Sequence, residues 1–135
     1  TEDSKFGTTA INVGLICLGP AVPLARCVGR KKTLEMVLTG KMITAAEAER
    51  LGLVNRVVPK EQLEEATLEL ATQLAAKSPL ALQVGKTGIY AMQDVPYNQA
   101  LDHLSLLFAS HCSTEDAEEG VRAFLEKREP VWRER

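Results

Sequence analysis

The residues able to do acid–base, nucleophilic or metal chemistry are thinly spread in this sequence. His103 and His111 stand at i, i+8 in one Leu-rich stretch. That spacing is too long for one helix to offer both to a single ion, so structural or surface roles fit them better. Cys17, Cys27 and Cys112 form no CxxC pair and have no histidine nearby in sequence, so no metal site is expected. An odd number of scattered thiols fits a reducing compartment rather than a disulfide framework. No GxSxG elbow is present, and GLICLG (residues 14–19) lacks the Lys-Ser/Thr ending of a phosphate loop.

Two further stretches carry more specific signals. In KFGTTAINVGL, residues 5–15, no Asp, Glu, His or Cys lies between Phe6 and Leu15, so the segment brings no proton-transfer group of its own. Near the C-terminus Phe124 and Lys127 are i, i+3 neighbours, which places them on one face of a helix. An aromatic beside a cation can hold an adenine ring and a phosphate, although any amphipathic helix end can show the same pair. The basic run Arg30-Lys31-Lys32 spreads around a helix and reads as a solvated face.

The elements that must position these residues follow from composition and punctuation. The chain has 135 residues, 45% of them apolar and 4% aromatic, which suits one folded domain with an aliphatic, helix-leaning core. Sixteen basic and eighteen acidic residues leave a net charge of −2, which gives no electrostatic case for nucleic acid as partner. No apolar run approaches the ~20 residues of a membrane span. The first residue is Thr1, not Met, so excision from a longer chain is expected.

Residues 5–16 read as irregular or briefly extended, and 18–23 as a turn entering a helix that runs from Pro23 to Thr39. Gly29 weakens that helix by about 1 kcal/mol, and Gly40 sits at its C′ position. Thr44 and Glu47 have capping-box spacing before a short helix ending at Gly52. LVNRVVP, residues 53–59, is β-branched and reads as a strand. An amphipathic helix is expected over 60–77. Others should start at Ser78-Pro79 (to about Gln93), at Asp94-Val-Pro96 and at Ser113-Thr114. The last has acids in its first turn, Lys127 and Arg128 in its final turn, and Pro130 beyond. The inventory is mainly α with one or two short strands. A lone strand at 53–59 would have to pair outside the chain or lie at an edge.

LEMVLTGKMITAAEAERLGLVNRVVP, residues 34–59, resembles the enoyl-CoA hydratase/isomerase (crotonase) family. The shared features are Thr39-Gly40, the helix from Ile43 to Val54, and Val57-Val58-Pro59. GVRAFLEKREPVW, residues 120–132, is similar to the family's tail, and SKFG at 4–7 with the INVGL that follows extends the likeness over essentially the whole chain. The resemblance implies the C-terminal half of a crotonase-type α/β fold. Residues 1–59 would close the core (pocket wall, helix, capping-box helix, strand), and 60–135 would form a helical oligomerisation region serving a trimer or dimer of trimers. The glycine-rich oxyanion-hole segment of the family would lie outside these residues.

What the family likeness implies about function is equally specific. The ligand would be an acyl-CoA thioester, with no other cofactor and no metal. Cytoplasm is the expected compartment, or the mitochondrial matrix in a eukaryote. The family's hydratases carry a glutamate three residues after the glycine of their FG motif, and here that position is Ala10. The loop that follows is one residue shorter. Ala10 and Leu15 would be pocket wall without a catalytic residue, and Phe124 and Lys127 would meet the CoA nucleotide. The function implied is that of the C-terminal part of an acyl-CoA-binding hydratase, isomerase or hydrolase, catalytically incomplete by itself. The alternative is a non-catalytic acyl-CoA-binding or oligomerisation module with the same fold.

Overall fold

The glycines and caps of the sequence set most of the element boundaries in the computed structural model, which describes all 135 residues. Residues Thr1–Leu68 form one compact unit and Glu69–Arg135 a second.

In the first unit, β1 (Lys5–Phe6) pairs antiparallel with β2 (Ile43–Thr44), Lys5 opposite Thr44 and Phe6 opposite Ile43. A 3-10 turn over Ala10–Val13 leads to α1 (Leu18–Thr39). That helix starts before Pro23 and is broken at Gly29, whose φ 79° and ψ 161° are open only to glycine. The expected single helix with a weak point is thus two helical segments joined by a kink. Gly40 ends it in the left-handed conformation, φ 62°, as a C′ glycine does.

Thr44 Oγ1 then accepts from the Glu47 amide and caps α2 (Ala45–Arg50). The Glu47 carboxylate pairs with Lys32 Nζ at 2.7 Å, so the basic run is anchored at its third member. The core consists of Leu24, Met36, Val37, Ile43 and Ala48, with Phe6, Val28, Leu51, Leu53 and Val54 packed on it.

The strand expected at 53–59 is absent. Gly52 turns left-handed after α2, φ 75°, and the Leu53 amide bonds back to Ala48 O at 2.8 Å. Beyond the turn, the Val57 amide donates to Glu49 Oε1 at 2.8 Å, and Val58 O accepts from the Glu2 amide at 3.2 Å. The apolar pattern reflects half-burial of Leu53, Val54, Val57 and Val58, the first two packed on the core. A side chain and a single backbone bond satisfy groups that a ladder would otherwise serve. The two strands that do form, β1 and β2, pair with each other.

A 3-10 turn at Lys60–Gln62 precedes α3 (Leu63–Ala75), and the second unit continues with α4 (Pro79–Ala91), α5 (Tyr97–Cys112) and α6 (Glu115–Glu126). Ser78 Oγ caps α4 by accepting from the Ala81 amide, with Pro79 at the first helical position. Thr114 Oγ1 caps α6 by accepting from the Ala117 amide. Gly88 is buried where α4 meets α5: a Cβ there would lie 2.9 Å from Leu104 Cδ2. Leu63, Leu70, Leu74, Leu101 and Phe108 remain exposed, while Leu104 is half-buried. No helix is long and apolar enough to cross a membrane.

Candidate functional site

Ala10 opens the 3-10 turn that follows Thr8 and Thr9. Gly14, left-handed at φ 75°, closes the turn, and Leu15 N–H bonds to Ala10 O at 3.1 Å. The turn sits directly on the end of α1. A Cβ at Gly40 would lie 2.8 Å from both Asn12 Oδ1 and Ile11 Cγ2, so the absence of a side chain there is what lets the turn dock. Ala10 is half-buried, whereas Val13 and Leu15 are 75% and 66% exposed.

Nothing in this turn can transfer a proton at neutral pH. Thr9 makes no capping hydrogen bond with its side chain, and Thr8 Oγ1 is buried without a partner. Glu2 and Asp3 are exposed and precede β1, and the Glu2 amide is tied to Val58 O. Beside the turn an apolar cleft of about 270 Å³ is lined by Phe6, Thr8, Pro23, Leu24, Met36 and Leu53 among others. Ala10 and Leu15 do not line it.

In the second unit, Phe124 is on the last turn of α6 and 82% exposed. Lys127 is not on that helix. It adopts φ 53°, ψ 44°, the left-handed C′ position, and the helix has no basic residue in its last turn. The expected shared helical face of Phe124 and Lys127 is therefore replaced by a chain reversal. The Arg128 amide bonds to Ala123 O at 3.0 Å and the Lys127 amide to Phe124 O at 3.3 Å, the two bonds of a Schellman motif. The helix stops four residues before Pro130 because this motif ends it first.

After the reversal the tail runs back along α6. Arg128 Nη1 and Nη2 grip Glu119 Oε1 and Oε2 at 2.6 and 2.9 Å, and the Val131 amide donates to the same carboxylate at 2.9 Å. Further along, the Arg133 and Glu134 amides donate to Asp116 Oδ1 at 2.7 and 3.1 Å, and Ser78 Oγ–H donates to its Oδ2 at 2.6 Å. Trp132 Nε1–H closes the tail onto Ala76 O at 2.9 Å. The Arg128 guanidinium, followed by the Val131 amide, brings the Glu119 carboxyl down to about 2. The Ser78 hydroxyl, followed by the Arg133 amide, holds the Asp116 carboxyl below its ordinary value.

In the sequence Asp116 and Glu119 stand only among the acids at the start of the last helix, which complement its dipole. Apart from Ser78, their partners lie in the tail beyond the left-handed turn at Lys127, and no local pattern announces that path. His103 is exposed and His111 half-buried with its Nδ1 unpaired. No group of three His, Cys, Asp or Glu side chains is placed to hold a metal, and Cys17, Cys27 and Cys112 are free thiols. The residues singled out thus supply surfaces and one exposed cation, with no paired acid and base.

Comparison with known proteins gives this arrangement its context. The family model for enoyl-CoA hydratase/isomerase matches residues 1–135. The chain is 41% identical over 132 residues to enoyl-CoA hydratase domain-containing protein 3, mitochondrial, of Rattus norvegicus, covering 98% of this chain and 44% of that protein. It is 38% identical over 135 residues to 2,3-dehydroadipyl-CoA hydratase of Escherichia coli K12, covering 99% of this chain and 53% of that one. An enoyl-CoA hydratase structure from Mycobacterium smegmatis superposes with a TM-score of 0.94 at 39% identity, covering 97% of this chain and 51% of that chain. The 135 residues therefore span about half the length of the relatives they match, and their fold is the corresponding half of a crotonase fold. The chain belongs to the enoyl-CoA hydratase/isomerase, or crotonase, family.

Proposed function

We propose that these residues are the C-terminal portion of a crotonase-family protein that binds acyl-CoA thioesters and, by themselves, catalyse no turnover. The observation that carries this reading is Ala10. The family match covers residues 1–135, Ala10 among them, yet the turn it opens presents a methyl group where the resemblance expects a carboxylate. Hydration of an enoyl thioester needs water to be deprotonated and the α-carbon to be protonated. Each positioned acid–base group typically contributes about 10²–10⁴ in rate. Ala10 and Leu15 then serve as pocket wall, completed by parts of the fold outside these residues. Phe124 offers an exposed ring, and Lys127 an ammonium, to the CoA nucleotide.

The experiment is direct. Purified chain is titrated with coenzyme A and assayed with crotonyl-CoA. Binding without hydration is expected, and turnover by the 135-residue chain would overturn the reading.

A non-catalytic module is the second reading, favoured by the exposed apolar residues Leu63, Leu70, Leu74, Leu101 and Phe108. Such surface is what a homo-oligomer would cover. The mitochondrial relative supports a mitochondrial location in a eukaryotic source.

A further inference from the structure

We propose that Glu119 and Arg128 act as a clasp that holds Lys127 in a left-handed backbone conformation and so fixes its ammonium as a contact for the CoA phosphates. The inference rests on the acyl-CoA reading above and adds positioning residues to it. Glu119 and Arg128 touch no ligand in this account and act through Lys127.

A left-handed backbone brings the Cβ of an L-residue against its own carbonyl, so glycine is the favoured occupant and lysine is not. The same chain uses glycine where only a reversal is needed: Gly40 at φ 62° after α1 and Gly52 at φ 75° after α2. At the end of α6 it keeps a lysine at φ 53°. Glu134, at φ 61°, is the other side chain in this conformation, and its amide is held on Asp116. A strained residue persists only where its surroundings over-determine it, and such residues cluster at ligand clamps.

Arg128 makes a two-pronged contact with Glu119 nine residues earlier, which requires the chain to double back immediately after Glu126. The Val131 amide secures the same carboxylate, so the turn is fixed from beyond as well. Arg128 Nε also takes Glu126 Oε2 at 2.6 Å. Arg128 thereby occupies the carboxylates of Glu119 and Glu126, and the Lys127 ammonium takes part in no ion pair. An unneutralised cation on a rigid turn suits an anionic ligand whose other contacts lie on the exposed ring of Phe124.

The test is a double-mutant cycle on the 135-residue chain with coenzyme A as the probe, by calorimetry at low salt, beside thermal unfolding. Lys127→Gly is expected to raise the thermal midpoint by a few degrees, because the strain is gone, while CoA affinity falls about tenfold. Its affinity should also depend less on salt than that of the unmodified chain. Glu119→Gln is expected to weaken CoA binding to a comparable degree, with no further loss in the double variant. Should Glu119→Gln fail to fold by near-UV dichroism of Trp132, Arg128→Lys carries the same test, since it keeps the charge and loses the fork.

Each result decides something. Losses that add, or an unchanged affinity in the folded Glu119 or Arg128 variant while Lys127→Gly still weakens binding, overturn the clasp alone. An unchanged or lowered midpoint for Lys127→Gly overturns the strain. A chain that binds CoA with Lys127→Gly unaffected removes Lys127 from the site. A chain that binds no CoA overturns the acyl-CoA reading and the clasp with it.

Discussion

The hydroxyl of Ser78 donates a 2.6 Å hydrogen bond to the buried carboxylate of Asp116, 38 positions further along the chain. The same hydroxyl caps α4, and the same carboxylate receives two amides of the C-terminal tail. One contact thus fastens the start of α4, the first turn of α6 and the tail together. Ser78→Ala should cost about 1–2 kcal/mol through the lost cap, and it also leaves one Asp116 oxygen without its donor. Asp116→Asn should destabilise as well, because an amide has only one acceptor oxygen for three donors. Urea unfolding of both variants, with an unchanged slope and a lowered midpoint, checks this.

Acid sensitivity follows from the carboxylates that hold the tail. Glu119 titrates at about 2 in the folded chain against an ordinary 4.5, and Asp116 is also lowered. A group with a depressed folded value binds its proton more readily when unfolded. Its stabilisation is therefore complete above the ordinary carboxylate value and is lost as pH falls through the folded one. Stability should decline from about pH 4.5 towards 2. Glu119→Gln should be less stable above that window and flatter within it. Urea midpoints measured across that range would show a parallel decline in both proteins if Glu119 contributed nothing.

The turn that carries Ala10 depends on a residue without a side chain thirty positions away. Gly40→Ala combines a left-handed backbone with a Cβ 2.8 Å from Asn12 Oδ1 and Ile11 Cγ2. A loss of about 1–3 kcal/mol is expected, measurable as a lowered thermal midpoint. Hydrogen exchange should quicken at the amides of Asn12, Gly14 and Leu15, which the turn protects. Unchanged exchange there would mean that the turn does not lean on Gly40.

Much of the helical framework was legible because its signals are local. Ser78-Pro79, Thr114 and Gly40 act within a few residues of themselves, and each does in the fold what its type and position suggest. Thr44 likewise caps α2, although the Glu47 carboxylate is drawn to Lys32, a partner no short window contains. Residues 53–59 mislead because alternation records burial, and the core buries Leu53 and Val54 without a ladder. Gly29 reads locally as a propensity cost, and in the fold it breaks the helix. At the candidate site, Ala10 stands out only through the family motif it departs from. Lys127, by contrast, lies past the end of α6 in a left-handed turn, followed by the Arg128–Glu119 contact nine residues back, and no short window of sequence contains that reversal.

Self-association should accompany the exposed apolar residues of α3 and α5. Leu70 and Leu74 are 42% and 49% exposed, and Leu101 and Phe108 are 47% and 69%. Sedimentation at micromolar concentration should show a species larger than the monomer. A monodisperse monomer would contradict the oligomer reading.

The central claim is that Ala10 stands where a proton-transfer group would have to be. It is tested most directly by the rate of crotonyl-CoA hydration in the longest natural form of the protein containing these residues, measured beside its Ala10→Glu variant. Slow hydration by the unmodified protein and a gain of roughly 10²-fold or more from the added carboxylate are predicted. Brisk hydration by the unmodified protein, with no gain from the glutamate, would contradict the claim.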